Sequence, residues 1–187
     1  MFATTAAIGQ KWHISTMLMV VYPSHVQVST LGYRALTRNK KMTWLVYLSG
    51  EIHTDWRLQI ANGARQHNLP VSFCSAVTDH DASDAAGDVL GEESSSFWRD
   101  HKSSKVNSIR TRSLIAKCDI AVVRFGDKYK QWNAAFDAGQ LAALDKPFIT
   151  LHDENIIHPL KEVDGAAMAW AKTPEQVVEI LRYVTTA

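Results

Sequence analysis

Two cysteines, Cys74 and Cys118, among 187 residues are too few for a disulfide framework or a zinc site of their own. At the edges of expected strands they read as buried, reduced thiols. A formal net charge of +1 removes the electrostatic reason to expect nucleic acid or a membrane surface as a partner. No apolar run approaches the roughly 20 residues that a bilayer-spanning helix needs. Neither a GxGxxG fingerprint nor a Walker A loop is present, which excludes dinucleotide or triphosphate binding by those routes, and no cofactor or metal is expected. Internal repeats and low-complexity tracts are missing too. What is left, 46% hydrophobic and 21% charged residues, is the composition of a folded domain able to close its own core.

The small net charge conceals a division. Residues 1–41 hold Lys11, Arg34, Arg38, Lys40 and Lys41 and no acid, so residues 42–187 carry 15 basic against 19 acidic residues. The leading segment is rich in Ser and Thr and has no sustained period. Its apolar run from Met17 to Tyr22 ends at Pro23, too short for a usual signal-peptide core. Residues 1–41 are therefore expected to be a disordered basic leader. They are either an organelle transit peptide or an extension upstream of a natural start at Met42. With the first reading the protein would be organellar, with the second cytoplasmic. Removal of 1–41 is expected to leave residues 42–187 stable.

From Met42 onward strand and helix alternate. Thr43–Leu48, Val71–Cys74, Asp119–Phe125, Phe148–Leu151 and, more weakly, Ala166–Ala171 read as strands. DIAVVRF in particular is the near-continuous apolar run of a parallel strand covered on both faces. Helices are expected from a Thr54 N-cap to His67, over Val106–Lys117, over Gln131–Leu144, and after Thr173-Pro174-Glu175-Gln176. That last tetrapeptide combines an N-cap Thr, a first-turn Pro and a Gln three residues after the cap. Val177, Val178, Ile180, Leu181 and Val184 would form the buried face of the final helix. Five strands interleaved with helices predict an α/β domain of three layers around a five-stranded parallel sheet, with right-handed crossovers.

Ligands of such sheets bind beyond the carboxyl ends of the strands. After the first strand, Gly50 would let backbone approach a ligand, with Glu51 and His53 held at the strand tip; a solvated loop is the competing reading. After the second strand a long polar stretch, Ser75–Ser104, is acidic. Within it Asp79-His80-Asp81 with Asp84 could ligate a divalent metal, bind sugar hydroxyls or simply face water, and the spacing matches no calcium loop. Phe97 and Trp98 in that stretch suggest a lid. After the third strand, Asp137 lies early in a helix otherwise made of small residues, among Ala134, Ala135, Ala138 and Gly139, where close packing would enclose it. Burial would raise its pKa and the helix N-terminus would lower it. A fixed, ionised carboxylate suits a nucleophile for an anomeric carbon; a helix-dipole acid is the alternative.

The segments VYLSGEIHTDWR (Val46–Arg57), TDHDASD (Thr78–Asp84), FGDKYKQWNAAFDAG (Phe125–Gly139) and HPLKE (His158–Glu162) resemble the YtoQ family, within the nucleoside 2-deoxyribosyltransferase-like group. The resemblance spans Met42 to Ala187. It implies a Rossmann-like (flavodoxin-like) fold and a small nucleoside or nucleotide ligand, and it leaves room for a homo-oligomer that completes its sites across subunits. In the better-known transferases of the group a Glu before x-Gly attacks deoxyribose C1′, and a second base or water resolves the glycosyl ester. Asp137 stands in that position here, one methylene shorter. The group's base-binding acid corresponds to Gln131, and another acid to Thr111, between Arg110 and Arg112. Those arginines suit a phosphate or carboxylate. The resulting expectation is cleavage or transfer at an N-glycosidic bond. Asp137 would be the nucleophile, and Glu51 or an acid of Asp79–Asp84 the proton donor. Trp132 or Trp56 would be a stacking surface beside Asn133. The alternatives are a non-catalytic nucleotide sensor, or metal-dependent hydrolysis through Asp79, Asp81 and Asp84.

Overall fold

The computed structural model describes residues 43–127 and 132–186. The expectations for residues 1–41, for the start at Met42 and for Gln131 lie outside these residues. The described chain runs β1 (Trp44–Gly50), α1 (Trp56–Gln66), β2 (Val71–Ser75), α2 (His80–Asp84), a 3-10 turn (Ala85–Leu90) and α3 (Ser96–Lys117). It continues through β3 (Ile120–Arg124), α4 (Trp132–Ala143), β4 (Phe148–Leu151), a short 3-10 turn (Glu154–Ile156), α5 (Ile157–Ala166), β5 (Ala169–Ala171) and α6 (Pro174–Thr185). The strands form one parallel sheet in the order β2-β1-β3-β4-β5. The chain leaves β1 toward β2 on one side and returns to β3 on the other. Between β1 and β3 the order therefore reverses, and a crevice opens at their carboxyl ends.

Strand alternation assigns the two faces. Val46, Leu48, Ile120, Val122, Ile149 and Leu151 pack against α1 and α6 through Trp56, Ile60, Val177 and Leu181. Tyr47, Ala121, Val123 and Phe148 face the other way, toward Ile115 of α3, Ala138 and Leu141 of α4 and Leu160 of α5. Each aliphatic side chain so buried contributes about 1.5–3 kcal/mol. Three layers with a five-stranded parallel sheet are as the sequence predicts. Among the described residues no helix is long and apolar enough to cross a membrane.

Several local expectations are corrected. The polar stretch after β2 is not a long loop: it folds into α2, a 3-10 turn and the first half of α3, which begins at Ser96. Polar side chains hold it there, Ser103 Oγ donating to the Asp84 carbonyl and accepting from Gly87 N–H, and Asn107 donating to Ser83. These contacts give no hydrophobic period to read. Phe97 and Trp98 sit in the first turn of α3, exposed, against each other and His101. Residues 157–166 are helix, so β5 is confined to Ala169–Ala171. Thr54 does not cap α1; Asp55 holds that position and the Thr54 hydroxyl is used elsewhere. Thr173 does cap α6, accepting from Gln176 N–H. On α6 Val177, Val178 and Leu181 are buried and Ile180 partly so, while Val184 is exposed in the last turn.

Candidate active site

The turn after β1 is built around one glycine. Gly50 has φ +107°, and a Cβ there would lie 2.0 Å from the Arg124 carbonyl oxygen of β3. Its missing side chain thus serves the approach of two strands. Glu51 then turns back into its own loop and is 4% exposed. Its carboxylate accepts from the His53 backbone N–H and from Thr54 Oγ1 at 2.6 Å. Its carbonyl accepts from Trp56 Nε1 at 2.8 Å and Arg57 Nη1 at 2.5 Å. Arg57 also donates to the Gly50 carbonyl at 2.9 Å and lies over the Trp56 ring; burial lowers its pKa to about 10. Burial pushes the Glu51 carboxyl up, but the bonds from Thr54 and His53 and the Arg124 charge outweigh it and hold it below the ordinary Glu value. Glu51 is therefore an ionised acceptor that organises the loop.

A cleft of about 790 Å³ opens over the carboxyl ends of the strands between α3 and α4. Gly50, Glu51, His53, Asp84, Arg110, Arg112, Trp132, Asn133 and Asp137 all line it. Asp79 and Asp81 do not. Asp79 caps α2 by accepting from Ala82 N–H, and Asp81 is exposed beside it. Among the described residues no group of three His, Cys, Asp or Glu is placed to hold a metal ion, so the Asp79, Asp81 and Asp84 cluster does not form. Trp56, offered as a stacking surface, is a core residue at 3% exposure on the face of α1 shared with Ile60. Trp132 is 72% exposed at the cleft rim. Arg110 and Arg112 are exposed on either side of Thr111, and two residues apart on a helix they diverge instead of forming one fork.

At the floor lies Asp137, 8% exposed. Its Oδ2 accepts from Ser49 Oγ at 2.6 Å and from Tyr47 OH at 3.1 Å; Oδ1 has no hydrogen bond among the described residues. Ala134 and Ala138, both buried, bring α4 close to the sheet, whereas a Cβ on Gly139 would meet nothing, so that glycine is not a packing requirement. Burial raises the Asp137 pKa, and the hydrogen bonds from Ser49 and Tyr47 only partly offset it. Tyr47 is pushed above its ordinary value by burial and by the neighbouring carboxylate, so it remains a donor. Thr111 also lines the cleft. The sequence reading missed Tyr47 and Ser49 as site residues. A signal was available: within TWLVYLSG they share one strand parity, putting two hydroxyls on a face that an apolar core strand would fill with aliphatics.

A family described as nucleoside 2-deoxyribosyltransferase YtoQ matches residues 47–185. An uncharacterised protein YtoQ of Bacillus subtilis (strain 168) is 38% identical over 144 residues, which cover 76% of this chain and 97% of that protein. A conserved protein from Enterococcus faecalis V583 has a similar fold, with TM-score 0.53 at 10% identity over 76% of this chain and 99% of that one. A 2-deoxyribosyltransferase from Bacillus psychrosaccharolyticus aligns with TM-score 0.43 at 18% identity, over 72% and 90%.

Proposed function

This chain belongs to the nucleoside 2-deoxyribosyltransferase YtoQ family, and we propose that it cleaves or transfers at the N-glycosidic bond of a nucleoside or nucleotide with Asp137 as the nucleophile. The observation that carries this reading is the asymmetry of one carboxylate. Asp137 has Oδ2 held by two hydroxyls, and Oδ1 has no hydrogen bond among the described residues, at the floor of a cleft lined by the turn after β1, α3 and α4. A nucleophile needs this combination of a fixed orientation and one uncommitted oxygen.

The sugar would lie over Asp137 with its base toward Trp132. Oδ1 attacks C1′, the C1′–N bond breaks, and its electron pair leaves with the base. Of Asp79, Asp81 and Asp84, Asp84 is the one that lines the cleft, with the His80 imidazole 3.9 Å from its carboxylate. In this reading it protonates the departing base. Glu51, ionised and already accepting from two local donors, has no proton to give; it shapes the loop that frames C1′. Water or a second base then attacks C1′, returns its proton to Asp84 and releases Asp137 as a carboxylate. The bonds broken and formed balance without a metal or cofactor.

The test is mass spectrometry after incubation with 2-fluoro-2-deoxynucleosides and their 5′-phosphates, which slow ester breakdown. An adduct on the peptide containing Asp137 supports the proposal. No adduct together with no base release across purine and pyrimidine substrates would overturn it.

A further inference from the structure

Ser49 lies beside the Asp137 carboxylate, and both line the cleft. Ser49 is 1% exposed, whereas Tyr47, two residues earlier on the same face, is buried behind it and off the lining. The backbone around Ser49 has little freedom: it pairs with Val123 of β3, and the next residue, Gly50, abuts Arg124. A hydroxyl has one proton to donate, and that of Ser49 goes to Asp137 Oδ2. With Tyr47 on the same atom, Oδ2 is the worse nucleophile of the pair.

We infer that Ser49 is a positioning residue that selects Oδ1 as the attacking oxygen and, through Oδ2, sets how fast the glycosyl ester is released. The inference rests on the reading of Asp137 as nucleophile. In the ester, Oδ2 is a neutral carbonyl oxygen. When the C1′–Oδ1 bond breaks, its electron pair returns to the carboxylate and negative charge reappears on both oxygens. A donor already in place on Oδ2 is then strengthened, because hydrogen bonds to an anion exceed those to a neutral acceptor. The hydroxyl thus favours the carboxylate over the ester. Ester formation gains nothing from it beyond orientation; ester breakdown gains directly. Loss of the hydroxyl should let the intermediate accumulate.

Two measurements on the full chain test this, each with wild type, Ser49→Ala and Ser49→Thr. The first needs no turnover: the Asp137 carboxyl is titrated by difference infrared spectroscopy, with Asp137→Asn assigning the band. Ser49→Ala is expected to raise the titration midpoint by about one pH unit, the worth of a hydrogen bond to a charged group, and Ser49→Thr to restore it. The second is rapid-quench kinetics with 2′-deoxynucleosides. Ser49→Ala is expected to slow ester release roughly tenfold and to reveal a burst of free base, with KM falling together with kcat as the ester accumulates. An unmoved midpoint in a Ser49→Ala protein that melts like wild type would overturn the inference whatever the activity. So would a moved midpoint with turnover but without ester accumulation. A moved midpoint with no turnover on any substrate would keep the Ser49–Asp137 coupling and overturn the glycosyl-transfer reading instead. If the Ala variant does not fold, Ser49→Cys, which keeps a weaker donor, must shift the midpoint in the same direction by less.

Discussion

Ser49 Oγ and Asp137 Oδ2 lie 2.6 Å apart although 88 positions separate the two residues in the chain. One lies near the carboxyl end of β1 and the other rides the second turn of α4, so the contact exists only because α4 packs back over β1 after the β3 crossover. Both partners are buried, which makes the pair a demanding one energetically: a buried carboxylate needs its donors.

Asp137→Asn separates chemistry from stability. Base release is expected to fall by roughly a thousandfold, the scale of losing a nucleophile. The folded-state pKa of Asp137 is raised above 3.8 by burial. Its stability contribution is thus fully present below the ordinary Asp range and is lost as pH rises through the raised folded value. Asn carries no such pH-dependent loss and can still accept from Ser49 and Tyr47. Thermal melts should find the variant more stable than wild type at neutral pH, the gap closing on acidification to pH values below the ordinary Asp pKa. For the same reason the acid limb of the wild-type pH–rate profile should lie above that of an unperturbed Asp.

Glu51→Gln should behave oppositely. The Glu51 pKa is depressed below 4.5, so its contribution is present above that value and lost as pH falls through the folded value. Replacing one carboxylate oxygen with NH2 sets a donor against the His53 N–H or the Thr54 hydroxyl. Urea denaturation at neutral pH is expected to register a loss of about 1–3 kcal/mol. The stability of the variant should depend less on pH in the acid range than that of wild type.

Gly50→Ala combines an unfavourable φ of +107° with a Cβ placed 2.0 Å from a backbone carbonyl. A cost of about 3 kcal/mol or more is expected, visible as a lowered denaturation midpoint. Because the strained turn carries Glu51, ligand binding should weaken along with stability.

Arg110→Ala and Arg112→Ala distinguish the ligand's charge. Both side chains are exposed at the cleft. If a phosphate is bound there, each substitution should weaken binding of nucleoside monophosphates roughly fivefold and leave the unphosphorylated nucleosides unchanged. Calorimetric titration with matched pairs reads this directly. Equal effects on both ligand classes would mean that the arginines shape the wall and do not meet a phosphate.

Much of the fold was legible because each strand repeats a short-range rule. TWLVYL and DIAVVRF are apolar over the length of a strand buried on both faces. Thr173-Pro174 starts α6 where capping chemistry says it should. The long polar stretch after β2 misled because its attachment to α3 runs through Ser103, Asn107, Arg99 and Lys102, and no hydrophobic period records such contacts. Trp56 is a core residue and not a stacking surface, as its spacing from Ile60 and Ala64 on the buried face of α1 requires.

The site divides along the same line. Local spacing alone determined that Gly50-Glu51 ends a strand, that Asp137 sits early in a helix of small residues, and that both lie beyond strand tips. Only the tertiary structure decided which of these groups meet. It turned Glu51 inward onto Thr54 and His53, left Asp79 and Asp81 outside the cleft, and set Tyr47 and Ser49 on one oxygen of Asp137. The physical reason is range. Strand and helix propensities are settled within a few residues, whereas hydrogen bonds between residues 88 and 90 positions apart depend on sheet register and helix docking, which the whole core determines together.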